Sequence, residues 1–307
     1  MLIKYGTEDV NIDVTEICYN KLLNRNNNII TIPSGEENRA HYFSDPVYGT
    51  LKKIFIILDD STTMKYDYTN VININILTNI ITTPNIITPE TTNIINTKIN
   101  DLHSKLSIHH GSFEDELPEQ GMVVIYLTGN EKVLEIGGNI GRNSLIIGSI
   151  LESNTNNFVV LESDNTIADL LTHNRDLNNM TFHIERSALS KRKLIQKDWI
   201  TIPSDDLLPD YKHVNTISWN DLNNKYNIAF DTLVLDCEGA FYYILMDMPE
   251  ILNNISLIIM ENDYFDIAHK NYIDTVLTDN NFYVDFVQSG GWGPCFNNFF
   301  EVWKKIR

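Results

Sequence analysis

The chain has 307 residues, 43% of them hydrophobic and 21% charged, enough for one large domain or two modest ones. Its net charge of −18 opposes phosphate backbones, so nucleic acid is not expected as a partner. Cys18, Cys237 and Cys295 lack any C-x-x-C spacing, which argues against a disulfide framework or a zinc site and fits a reducing compartment. No apolar run approaches the about 18 residues of a membrane span, and Met1–Asp9 has no signal-peptide core, so no membrane partner and a cytoplasmic location are expected.

Residues 1 to about 70 carry short apolar runs between turn signals, such as Ile29–Ile32 before Pro33-Ser34-Gly35 and Ile54–Leu58 after Asp45-Pro46 and Gly49, which predicts a small β-rich module. Residues 71–100 are biased toward Asn, Ile and Thr, with Pro84 and Pro89 as breakers, and read as a connector in which Val71–Leu77 alternates as an edge strand. Across 101–307 strands alternate with helices. The predicted strands are Lys132–Ile136, Phe158–Leu161, Thr181–Ile184, Thr232–Leu235 and Leu257–Met260. Helices are predicted over Arg142–Leu151, 165–177, Phe241–Ile251 and Ile267–Thr278. Phe282–Val287 and Phe299–Trp303 close the chain around the turn-rich Ser289–Pro294 without a crossover helix, which requires an antiparallel end. The pattern predicts an α/β doubly wound, Rossmann-like sheet with an antiparallel C-terminal hairpin, the shape of class I methyltransferases.

Glu135 ends the first strand and is followed by Gly137, Gly138, Asn139 and Gly141. Glycines there permit a sharp turn and close approach to a ligand, and the following helix offers its N-terminal amides. The run is not the G-x-G-x-x-G of dinucleotide binding, and an acid just before it suits a cationic ligand group where a pyrophosphate needs none. Glu162 and Ser163 end the second strand about 25 residues after the first glycines, where a carboxylate takes ribose hydroxyls. Ser187 and Ala188 follow the third strand, where a base edge would pass.

Thr232–Gly239 enters the sheet as three apolar residues and ends in Asp236 and Glu238; Ile258–Asp263 repeats the idea with Glu261, Asn262 and Asp263. Burying such acids for packing alone is costly, and this edge is where open α/β sheets bind ligands. Asp236, Glu238 and Glu261 are therefore the candidate catalytic residues, with Asn262 and Asp263 in reach of acceptor hydroxyls. His109-His110 and Phe113–Glu116 precede the first sheet strand as candidates to cover the pocket, and Gly290–Gly293 as a loop presenting Trp292 to a sugar face.

From Lys132 to Trp303 the chain resembles the FkbM family of S-adenosylmethionine-dependent O-methyltransferases, through Leu134–Gly141, Leu235–Gly239 and Ile258–Glu261. It departs from the family pattern at Glu135 for Asp, Gly138 for Ala, Leu235 for Ile and Val234 for Lys, and has Phe241 where a second Glu would follow. The resemblance implies S-adenosyl-L-methionine as cofactor and a hydroxyl of a sugar or glycan as acceptor. Asp236 is then the candidate base or, with Glu261, a ligand for a divalent cation such as Mg²⁺. Competing readings are a methyltransferase for protein or a small metabolite, a non-catalytic glycan-binding protein, and a nicotinamide-dependent oxidoreductase. The last is disfavoured by the missing G-x-G-x-x-G.

Overall fold

The computed structural model describes residues 1–25, 28–59, 61–83, 89–198 and 200–306. The chain divides into two compact units, Met1–Ile86 and Ile87–Arg307.

The first unit holds two antiparallel four-stranded sheets, one with the order Asn11–Asp13, Leu2–Gly6, Lys53–Ile57, Thr63–Tyr66 and one with the order Leu23–Asn24, Ile29–Ile32, Ile72–Asn75, Ile81–Thr82. The β-rich module thus runs past residue 70. Ile72–Asn75 is an inner strand of its sheet and not an edge, paired on both sides. Its alternation explains this: Ile72 and Ile74 stand opposite Ile32 and Ile30, and all four are fully buried in the module's core. Pro84 falls outside the described residues. The end of the expected connector is not a linker but a helix of the second unit, α1 (Pro89–Lys105). Ile95, Ile99 and Leu102 repeat at helical spacing and pack into the core, an apolar stripe hidden among Asn and Thr.

The second unit is built on a seven-stranded sheet. Its strands are β1 (Val133–Ile136), β2 (Phe158–Leu161), β3 (His183–Glu185), β4 (Thr232–Leu235), β5 (Leu257–Glu261), β6 (Phe282–Gln288) and β7 (Phe300–Lys305). Their spatial order is β3-β2-β1-β4-β5-β7-β6, with β1 to β5 parallel and β7 antiparallel to both β5 and β6. This is the class I methyltransferase fold expected from the sequence. Alternate residues of each parallel strand enter different cores: Leu134, Leu233 and Ile258 on one face, Val133, Val234 and Ile259 on the other. The second face carries α1, α2 (Leu117–Tyr126) and α3 (Arg142–Leu151); the helices α4 (Asn165–Leu177), α5 (Trp219–Tyr226), α6 (Ala240–Asp247) and α7 (Ile267–Asp279) complete the unit. Between β3 and α5 a small antiparallel sheet forms from Leu194–Lys197, Ile200–Pro203 and Lys212–Val214.

Candidate functional site

The carboxyl ends of β1, β2 and β4 border a cavity of about 440 Å³. One wall is the small sheet, through Leu194, Gln196, Thr201 and Pro203; another is α6, through Ala240, Tyr243 and Ile244. Ile136, Gly137 and Asn139 come from the turn after β1, and Asp236, Cys237 and Glu238 from the end of β4.

The turn is shaped by packing as much as by access. Both Gly137 and Gly138 donate their N–H to the carbonyl of Leu161 at 3.0 Å. A Cβ on Gly137, whose φ is +94°, would stand 1.6 Å from the carbonyl oxygen of Asp236; on Gly138 it would stand 2.1 Å from Val160, and on Gly141 2.4 Å from Leu171. Gly137 borders the cavity, whereas Gly138 and Gly141 are not among its lining: they are glycines because β2 and α4 press on the turn.

Asn139 adopts a left-handed φ of +45°, which turns its N–H onto Glu162 Oε2 at 2.9 Å. The other oxygen of Glu162 accepts the N–H of Asp164 at 2.8 Å, and burial raises the carboxyl's pKa. Glu162 and Ser163 both border the cavity. Ser187 and Ala188 border it too; Ser187 donates to Glu185 at 3.0 Å, and Ala188 is fixed by a backbone bond to Asn215 at 2.8 Å. Arg192 also lines the cavity, held by Asp247 through two bonds of 2.6 and 2.8 Å.

Glu135 and Glu261 do not reach the cavity. Glu135 stands level with Val160 and Val234 on the face covered by α2 and α3, and Ser144 donates to its carboxylate. Asp236 and Glu261 lie one step beyond the last register pair of β4 and β5, Leu235 with Met260, so period two puts both on that same face. There they meet Glu116 and Glu119, from the start of α2. The result is a nest of crowded, largely buried carboxyls. Burial, and then a hydrogen bond shared with Glu119, pushes Glu261 up to about 12. Burial, against the Ser144 bond and with the charge of Glu116, pushes Glu135 up to about 8. Burial raises Glu116 to about 7 in spite of its 2.8 Å ion pair with Arg142, and burial with Glu238 raises Asp263 to about 7. Asp236 is held well above the carboxylate range by burial, then by Glu116 and Asp263.

Three buried acceptors around the nest, Glu119 Oε2, Asn143 Oδ1 and Asp263 Oδ2, have no donor among the described residues. A surplus of buried acceptors calls for a cation, either an ammonium group or a metal ion. Asp236, Glu261 and Asp263 each offer an oxygen within 4.8 Å of the other two, a donor set of the kind Mg²⁺ takes.

Other expected residues are placed elsewhere. Asn262 is fully buried, bonded to Asn298 at 2.6 Å and to Phe299 at 2.7 Å, so it braces the hairpin and cannot reach an acceptor. Asp263 is 4% exposed, and its Oδ1 accepts the N–H of Gly239 at 2.8 Å. His109 and His110 are not cavity residues; they stand against His173 of α4. Trp292, 39% exposed, lies beside the 83% exposed Phe265 with ring centroids 4.5 Å apart. Sequence reasoning missed Glu119, Arg192 and the small sheet. The pair Glu116 and Glu119 at helical spacing before an apolar run was the available signal for the first.

No family model matches the chain, and no curated protein matches it. Solved structures with a similar chain path include an O-methyltransferase of Bacillus cereus in complex with SAH, at 16% identity over 72% of this chain and 93% of that one, TM-score 0.39. Another is the O-methyltransferase TomG of Streptomyces achromogenes, involved in tomaymycin synthesis and in complex with SAM, at 11% identity over 68% and 96%, TM-score 0.39. An rRNA methylase of Streptococcus thermophilus aligns at 7% identity over 58% and 89%, TM-score 0.35. The class of the fold rests on the strand order described above.

Proposed function

We propose that the Ile87–Arg307 unit transfers a methyl group from S-adenosylmethionine to a hydroxyl oxygen, the acceptor being a sugar or glycan. One observation carries the cofactor reading: a cavity at the carboxyl edge of the sheet has Glu162 on one side and, behind Asp236 on the other, buried acceptors that lack donors among the described residues. S-adenosylmethionine offers ribose hydroxyls for the first and an ammonium and a sulfonium for the second. The nicotinamide alternative would place a pyrophosphate against this acid-rich edge, which like charge opposes.

When bound, the cofactor supplies an already activated methyl group on sulfur. The residues then have to hold the acceptor oxygen in line and take one proton. Asp236 borders the cavity at the end of β4 and is the base of choice: its carboxylate would take the hydroxyl proton that the acceptor loses on methylation. Burial and the acids around it raise the pKa of Asp236, and an adjacent sulfonium would favour its ionised form. Glu238 and Glu261 orient this group or, with a divalent cation, share it. The exposed ring pair of Phe265 and Trp292, two residues past Asp263 on one side, suits the face of a sugar.

Calorimetry with S-adenosylhomocysteine and NAD side by side tests the cofactor, with binding expected for the first alone. Methyl-labelled cofactor offered with glycans, RNA, DNA and proteins tests the acceptor. Label is expected in glycan, stable to mild base as an ether is. Label confined to protein, small metabolites or nucleic acid overturns the acceptor reading and leaves the cofactor reading standing.

A further inference from the structure

Outside the cavity, three histidines converge. His109 and His110 lie in the loop before α2, and His173 is on α4. His110 Nε2 is 2.8 Å from His173 Nδ1 and 3.4 Å from His109 Nδ1, and one ring nitrogen of each residue lies within 4.8 Å of the others. Hydrogen bonding accounts for only half of this. Nε2 of His110 has either one proton or one lone pair, so it serves one neighbour and leaves the other nitrogen facing it unmatched.

The loop is also locked in place. Asn174, fully buried on α4 beside His173, accepts the backbone N–H of His109 at 3.0 Å and of His110 at 3.1 Å, and donates to the carbonyls of His110 at 3.1 Å and Ile140 at 2.9 Å. One turn on, Asn178 accepts the N–H of Ser107 at 2.8 Å and donates to its carbonyl at 2.7 Å. The rings are thus presented by a fixed backbone, the preorganisation a metal site needs.

We propose that His109, His110 and His173 bind a divalent transition-metal ion of the zinc class, with its fourth position open to water. In a tetrahedral zinc site with bonds of 2.0–2.1 Å, ligand nitrogens stand about 3.3 Å apart. The 3.4 Å separation already matches this, and the 2.8 Å one requires a ring shift of about half an ångström. Imidazole suits Zn²⁺, Ni²⁺ and Cu²⁺, in contrast to the all-oxygen set at Asp236, Glu261 and Asp263. The ion staples the Ser107–Gly111 loop to α4. That loop runs on to Asp115 and Glu116, which pair with Arg142 next to Gly141 at 3.1 and 2.8 Å, so the staple secures the segment beside the glycine turn. The site is independent of the methyltransferase reading.

Tag-free full-length protein, stripped with chelator and desalted, is titrated with Co²⁺ and then Zn²⁺. One equivalent of Co²⁺ is expected to give the intense visible absorption of a nitrogen-bound, low-coordinate ion, which Zn²⁺ then removes. His173→Ala, at an exposed helix position where alanine is well tolerated, should weaken the affinity by at least about 100-fold, more than the loss of an outer-shell partner. His183→Ala, on β3, should leave it unchanged. An absence of binding at micromolar Zn²⁺, or Co²⁺ binding that survives His173→Ala, overturns the proposal; in the second case the ion belongs to the carboxylate nest.

Discussion

Raising the pH should destabilise the second unit across neutrality. Glu116 and Asp263 hold their protons to about 7 and Glu135 to about 8, whereas unfolded carboxyls release theirs near 4. Between those limits the folded state binds more protons than the unfolded one. Stability from these groups is therefore fully present below the unfolded pKa and is lost as pH rises through the folded pKa. A carboxyl titrating near 7 forfeits about 1.4 kcal/mol between pH 6 and 8.5, and one near 8 about 2.6 kcal/mol, so the nest as a whole costs several kcal/mol. Denaturant unfolding followed by tryptophan fluorescence reads this unit selectively, because Trp199, Trp219, Trp292 and Trp303 all lie within it. Glu135→Gln keeps the shape of the protonated side chain and its bond to Ser144, and should flatten the upper part of the decline without cost at pH 6. Stability that is level or rising from pH 6 to 8.5 refutes the reasoning.

Three further outcomes are expected. Asp236→Asn should leave affinity for S-adenosylhomocysteine within several-fold and lower turnover by at least ~10², read as kcat against KM; activity lost to chelator and restored by Mg²⁺ in the parent protein would instead mark Asp236 as a metal ligand. Glu162→Ala strips the acceptor from the amides of Asn139 and Asp164, costing about 2–4 kcal/mol in denaturant unfolding and abolishing cofactor binding in calorimetry; unchanged affinity in the folded variant sinks the assignment. Gly137→Ala puts a methyl group 1.6 Å from the Asp236 carbonyl at a left-handed φ, so a loss of about 3 kcal/mol or more is expected, and a thermal midpoint equal to the parent's contradicts the packing role.

The strands of the sheet were legible because their physics is local. The inner strands β1, β2 and β4 are short apolar runs, buried on both faces, and the missing crossover helix between the last two strands forces the antiparallel hairpin. Gly137, Asn139 and Glu162 were legible for a related reason: a strand end in this topology opens on the cavity whatever lies around it. What stayed hidden depends on partners far along the chain. His173 carries no signal until the fold brings it to His110, 63 residues away. The wall Leu194–Pro203 is a small sheet whose strands are too short and too mixed in character to declare themselves. The stripe of Ile95, Ile99 and Leu102 was masked by Asn and Thr around it, which are common in linkers and equally at home on the solvent face of a helix.

The acids were the most informative residues in the sequence, and their meaning changes once they are placed. Read singly, Glu135, Asp236 and Glu261 are three strand-end carboxylates, each a candidate for its own contact. In the fold they share one face with Glu116 and Glu119, and only Asp236 of the three reaches the cavity. Carboxyls so crowded resist ionising together, so a cation that binds beside them should displace protons. Cofactor affinity should therefore rise with pH over the same window in which the protein alone loses stability. Binding should release protons, measurable by calorimetry in buffers of different ionisation enthalpy. A cofactor that binds with no proton release would mean that its charged end lies away from the nest, and that these acids serve the acceptor instead.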